Sequence, residues 1–277
     1  MPTVSSRDLA IAAAILIAVV GAVIVVAVNT GSDTDTPADS TEVTTTSPTT
    51  PPTTEPPVPT TVPADVPAAF ATNLAARSPA AAQRLVDLSS PGSPAAAYAR
   101  HQEAALEIMG SVPVGRVEPR ANDAVAVCDT TSDGAVCRTF ADFVVDEAGL
   151  LSGFSIDGVP IGETVLAGGI ADIQDTLTVR LISAATTGDD QLVTIFEAVN
   201  TGPTAVWLNG FAAVHRSDTG VETEVSLTAG ADQVTAGASE LFALWFDGGV
   251  LGGVVTVPTQ SEDFTDTVEM NVPVAAP

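Results

Sequence analysis

Hydrophobic positions change their period twice along this chain. Leu9 to Val28 is one unbroken apolar run of twenty residues. At about 1.5 Å rise per residue, a helix of that length covers roughly 30 Å, the hydrocarbon thickness of a bilayer. From Val66 the spacing becomes that of short amphipathic helices. Val66, Phe70, Leu74 and Arg77 share a helical face until Pro79 ends the run, and Ala80 to Leu88 continues it until Ser89-Ser90-Pro91-Gly92. Ser93-Pro94 supplies a cap with proline at the first helical position, which predicts a third helix reaching Met109 before Gly110. Strand-like runs follow at Val112–Val117, Ala124–Cys128, Ala135–Val145 and Leu150–Ile161, with turn signals at Asp133-Gly134 and Glu147-Ala148-Gly149.

Beyond residue 161 the period is two. Leu177, Val179 and Leu181 alternate with Thr178 and Arg180, and further runs lie at Leu192–Val199, Ala205–Leu208, Phe211–His215, Glu222–Leu227, Leu241–Phe246, Val250–Val257 and Thr267–Val274. Short strands at such spacing predict an all-β sandwich. The pattern therefore divides the chain into a cytoplasmic N-terminus (1–8), a transmembrane helix (9–28), a stalk (29–65), an α+β domain (66–160) and a β-sandwich (161–277).

The apolar run is longer than the roughly 7–15 residues of a secretory h-region. Its one small-residue cleavage site, Val25-Val26-Ala27, lies at the far end, so a retained anchor is expected over a cleaved signal. Arg7 precedes the run, whereas no Lys or Arg follows it before Arg77. The positive-inside bias places the N-terminus in the cytoplasm and the bulk of the chain outside the cell membrane. The stalk is dominated by Thr, Ser and Pro, with Pro51-Pro52 and Pro56-Pro57 blocking helix. It holds too few apolar residues to offset the entropy of ordering and is expected to be disordered.

Charge narrows the choice of partners. The chain carries 34 acidic residues against nine Arg and no Lys, a net charge of −25. Nucleic acid is excluded, because phosphate binding needs clustered Lys and Arg. Residues 66–160 hold eleven acids and six Arg, net −5, whereas residues 161–277 hold sixteen acids and two Arg, net −14. An anionic ligand would find its host in the first of these. Cys128 and Cys137 flank a turn-rich run and fall in facing strand-like segments; outside the membrane that arrangement predicts a hairpin disulfide. Two cysteines cannot close a tetrahedral zinc site.

Residues 66–160, with helices preceding a meander that closes on Phe140-Ala141-Asp142-Phe143-Val144-Val145-Asp146, resemble the NTF2-like, cystatin-like cone domains exported by actinobacteria, including those associated with Mce transport proteins. The resemblance implies a concave sheet and a pocket. It places His101, on the third helix with Ala97, Ala104, Ala105 and Ile108, beside Asp142, whose strand neighbours Phe140 and Val144 share its face. His101 and Asp142 are thus the candidate ligand-binding pair. Residues 161–277 resemble the immunoglobulin-like exported domains of the DUF4352 and mycobacterial MPT63 type. The residues that carry this are Val193-Thr194-Ile195-Phe196-Glu197-Ala198-Val199-Asn200, Ser217-Asp218-Thr219-Gly220 and Thr235-Ala236-Gly237. That resemblance implies binding or architecture, not catalysis.

Other chemistry is thin. His215, ending a strand beside Arg216 and Asp218, reads as a surface residue. Trp207 and Trp245 read as sandwich-core fillers, and Gly248-Gly249 and Gly252-Gly253 as turn or bulge glycines without a following helix. No Gly-x-Ser-x-Gly occurs, and the Asp-bearing loops lack the distal Glu of a calcium hand. The expectation is a non-catalytic, single-pass extracytoplasmic protein without cofactor or metal that binds or organises cell-envelope components. The alternative is a small-molecule enzyme or lipid-binding module built around His101 and Asp142 in the pocket of the first domain.

Overall fold

Three prolines open three helices, each preceded by a side-chain cap. In α1 (Val66–Ala76) Asp65 accepts from the Ala68 amide, in α2 (Pro79–Asp87) Ser78 accepts from Ala81, and in α3 (Pro94–Met109) Ser93 accepts from Ala96. A proline in the first turn loses nothing there, because its missing N–H has no helical partner. Gly110 ends α3 at φ 74°, the backbone region glycine enters most cheaply. The computed structural model describes residues 65–110, 113–131, 134–188 and 190–275. The Leu9–Val28 span and the stalk up to residue 64 lie outside the described residues. Among the described residues no helix is long and apolar enough to cross a membrane.

The rest is β: three antiparallel sheets. The first is a meander of β1 (Arg116–Pro119), β2 (Val125–Thr131), β3 (Gly134–Val145), β4 (Leu151–Ile156) and β5 (Val159–Pro160). Cys128 and Cys137 stand opposite each other in the β2–β3 register and are bridged, with Cα atoms 3.9 Å apart. The expected Leu150–Ile161 run is broken by the Asp157-Gly158 turn, so it folds back as a hairpin of β4 and β5. The helices cover the inner face of this sheet. Phe154 of β4 is ringed there by Phe70, Tyr98, Phe140 and Phe143, with ring centroids 5.3 to 6.2 Å from its own.

The other two sheets pack face to face. One runs β13 (Leu227–Gly230), β15 (Ser239–Asp247), β9 (Gln191–Asn200), β8 (Leu177–Thr186) and β6 (Val165–Ala167), with β7 (Ala171–Gln174) further along the same edge of β8. Between β6 and β7 the chain passes so close to β8 that a side chain on Gly168 would begin 2.0 Å from the Leu181 carbonyl oxygen. The opposing sheet runs β12 (Glu222–Glu224), β11 (Val214–Arg216), β16 (Val254–Ser261), β10 (Val206–Leu208) and β14 (Gln233–Val234), with β17 (Thr267–Pro273) also on β16. Leu181, Phe196, Phe242 and Phe246 meet Val255, Val257, Met270 and Val272 between them.

Two expected strands divide differently. Glu222–Leu227 crosses from one sheet to the other, giving β12 and β13, and Phe211 lies in a short 3-10 turn rather than a strand. The described residues form one compact unit, because α3 is shared. It packs on β4 of the meander and, through Ala104, on Val193, Ile195, Ala243 and Trp245 on the outer face of the β13–β15–β9–β8 sheet. That outer covering explains why Leu192-Val193-Thr194-Ile195-Phe196 is buried throughout: both faces of β9 are occupied.

Candidate functional site

Where α3 crosses between the meander and the two-sheet unit, the packing is incomplete. A cavity of about 170 Å³ remains there. From α3 it is lined by Tyr98, His101, Gln102, Ala105, Leu106 and Met109, positions that return to one helical face every three or four residues. The meander contributes Val127, Asp129, Arg138 and Phe140. Helix α1 adds Asn73, Leu74 and Arg77, and the end of β8 and its turn add Ala185, Thr186 and Thr187.

Arg77 occupies the left-handed C-cap of α1, φ 47°, where glycine would ordinarily sit. From that corner its guanidinium donates to the Asp129 carboxylate in a partly buried ion pair. The other oxygen, Asp129 Oδ1, is buried without a hydrogen-bond partner among the described residues, as is Thr187 Oγ1. The Tyr98 hydroxyl makes no hydrogen bond among the described residues. Burial pushes its pKa up to about 12, the fields of Arg138 and Arg77 acting against that rise, so the phenol stays protonated at neutral pH.

His101 lines the cavity as expected. Its Nδ1 lies 2.9 Å from Ser183 Oγ, in a buried hydrogen bond that ties α3 to β8. Burial lowers its pKa to about 4, leaving it neutral at physiological pH. A register irregularity in β8 between Leu181 and Ser183 makes this contact. Before it Leu177, Val179 and Leu181 face the two-sheet core; after it Ala184 does, and Ser183, Ala185 and Thr187 turn toward α3. One extra residue has inverted the alternation.

A second irregularity, in β3 between Ala141 and Val144, has the opposite consequence. Asp142 sits within it at φ 53°, and Ser155 Oγ donates to its Oδ2 at 2.7 Å. The shared face expected for Phe140, Asp142 and Val144 is broken: Phe140 is 2% exposed and Val144 57%. Asp142 is exposed and is not among the cavity-lining residues, so the structure does not bring it to His101.

His215 corrects the sequence reading more sharply, being 1% exposed. Its Nε2 donates to the Gly252 carbonyl at 2.8 Å, its ring lies 5.7 Å from that of Phe246, and Nδ1 is unpartnered. The turn that receives it, Gly248 to Gly253, holds Gly248, Gly252 and Gly253 at positive φ. Trp245 is buried, but against α3 rather than between the sheets, and Trp207 stacks on the exposed Phe264 at 5.9 Å. Among the described residues no group of three or more His, Cys, Asp or Glu is placed to hold a metal ion.

Four cavity residues escaped the sequence reading: Arg77, Tyr98, Asp129 and Arg138. Three were within reach of it. Tyr98 lies one turn before His101 on the same helical face, and Asp129 and Arg138 share the inner parity of Val127 and Phe140 in adjoining strands. No family model matches the chain, and no curated protein matches it.

Proposed function

We propose that the chain is a non-catalytic binding protein, displayed outside the cell membrane by its N-terminal span, whose cavity holds a small molecule with an apolar body and a polar end. One observation carries this: a half-enclosed hollow with partly apolar walls in which Thr187 Oγ1 is buried and has no partner among the described residues. A buried polar group left unpaired costs about 1–3 kcal/mol, which an occupant with a complementary end recovers. At about 170 Å³ the cavity is smaller than the roughly 300 Å³ and upward of pockets for drug-sized ligands, so the occupant is small.

Binding rather than turnover is supported by the condition of the groups present. General acid–base catalysis wants a group poised near the working pH. Here Tyr98 stays protonated, His101 stays neutral and tied to Ser183, and Asp129 is engaged by Arg77. Helices laid over a meander with a hollow between them support the cone-type reading of residues 66–160. Two facing antiparallel sheets support the immunoglobulin-like reading of 161–277. In this scheme the sandwich closes one wall of the receptor, and the whole faces the cell envelope.

Native mass spectrometry of the full-length chain released from its membrane tests the proposal. One small molecule per chain is expected, and Ala105→Trp, which fills the cavity from α3, should abolish it. A chain that carries no bound species and takes none up from an extract of its own envelope overturns the reading. Display is tested separately by adding protease to intact cells. A soluble fragment starting between residues 31 and 65 should be released; complete protection until lysis reverses the orientation.

A further inference from the structure

We infer that the cavity is built for an organic monocarboxylate whose head is taken by Arg138, with Tyr98 and Thr187 completing its hydrogen bonds. This rests on the binding reading above and names the ligand class.

The charge count comes first. Three ionised side chains line the cavity, Arg77, Asp129 and Arg138. Arg77 and Asp129 neutralise each other, whereas Arg138 makes no salt bridge among the described residues. Among the described lining residues one positive charge is left over, in a chain of net charge −25 with only nine Arg. Guanidinium does not escape the cost of burial by losing its proton. Arg138 is partly buried at the edge of the cavity, where its charge is screened less than in open water, so a single negative charge brought there is attracted to it. A carboxylate brings one. A phosphate monoester brings about 1.5–2 and leaves an excess.

Placement agrees with the count. Arg138 pairs with Val127 in the hairpin, one step from the Cys128–Cys137 bridge, so its backbone is rigidly held. Its Nη1 reaches across to the turn after β8, 3.9 Å from where a side chain on Gly188 would begin. That is beside Thr187, whose hydroxyl lacks a partner. The phenol of Tyr98 lies within the field of Arg138 and keeps its proton, so it is a donor. A carboxylate offers about four acceptor sites, two for the guanidinium fork and the rest for hydroxyl donors. The unpartnered Asp129 Oδ1, an acceptor that would repel the ligand, is turned toward Gly115, 3.2 Å from where a side chain there would begin. Leu106, Met109 and Val127 supply apolar wall for the remainder of the molecule.

Calorimetric titration of the full-length chain with hexanoate, hexanamide and hexyl phosphate decides the matter. Hexanoate should saturate one site and bind at least tenfold more tightly than either of the others. Arg138→Gln should reduce hexanoate to the affinity of hexanamide and leave hexanamide unchanged. Arg138→Lys, which keeps the charge and loses the fork, should fall between; Tyr98→Phe should weaken hexanoate several-fold, and all three variants should keep the wild-type melting temperature. Equal binding of hexanoate and hexanamide, indifferent to Arg138→Gln, overturns the carboxylate assignment and leaves the binding reading standing. Tightest binding of hexyl phosphate overturns the single-charge argument. Failure of all three to bind in the millimolar range, in a chain that native mass spectrometry also finds empty, overturns both.

Discussion

The two-sheet unit and the α+β layer meet along α3, and their cores are packed on different terms. Between the facing sheets, Leu181, Phe196, Phe242, Phe246, Val255 and Met270 close on one another in a continuous core. In the α+β layer the large side chains gather at one end, around Phe154. Toward the other end α3 borders a hollow with His101, Gln102 and Ala105, and Tyr98 stands between the two, against Phe154 on one side and the hollow on the other. Polar atoms follow the same division. Tyr98, Thr187 and Arg138 collect where packing stops. On the proposed reading, truncation should cost most stability in the unit that is filled, and a ligand would sit in the layer that is not.

Substitutions can break that contrast. Phe196→Ala, in the closed core, should cost about 3–5 kcal/mol in urea denaturation, because the lost transfer energy and the new void add. Tyr98→Phe should leave stability within about 0.5 kcal/mol of wild type, since the hydroxyl it removes has no partner among the described residues. If the two variants lose comparable stability, the division of labour is wrong.

Acid sharpens the comparison next. His101 is neutral in the fold with a pKa lowered to about 4, whereas in the unfolded chain it binds a proton near 6.5. Its contribution is therefore fully present above about pH 6.5 and is lost as pH falls from there toward 4, by on the order of 3 kcal/mol in all. Denaturation midpoints across that window should fall, and His101→Phe should flatten this part of the slope. An unchanged slope would mean that the contact with Ser183 survives protonation. Opening the Cys128–Cys137 bridge, which closes a loop with sequence separation 9, should cost about 2–3 kcal/mol. It should also weaken ligand binding, because it frees the hairpin that carries Arg138. The smallest effect is expected at Asp142. Asp142→Gly relieves a left-handed backbone but removes the part-buried hydrogen bond from the buried Ser155, two effects of opposite sign that leave a net change within about 1 kcal/mol and none in ligand affinity.

Much of the local structure was legible in the chain. The Ser93-Pro94 signal marked the start of α3, because a cap and a first-turn proline act on their own neighbours, whereas Pro79, read as ending a run, opens α2 behind the Ser78 cap. The disulfide was legible because the two cysteines flank a hairpin turn. His101 was placed toward a pocket, and the pocket is there. Asp142 was misplaced and His215 was read as exposed, and neither error lay in the residue types. His215 is covered by the Gly248–Gly253 turn and Phe246, both more than thirty residues away in sequence, so nothing beside it in the chain announces its burial.

What the sequence determined by itself is therefore short-ranged: where helices begin, where hairpins turn, which positions on a helix share a face, and where positive charge is least outnumbered. What the tertiary structure decided is which way each strand faces and what lies against it. Strand alternation has a period of two, so one unpaired residue inverts everything after it. The irregularity in β8 turned Ser183, Ala185 and Thr187 into the cavity, and the one in β3 set Asp142 outside it. Whether a strand carries such an extra residue depends on the register its partners impose. No window of local sequence contains those partners, which is why the site became visible only when three sheets and one shared helix were brought together.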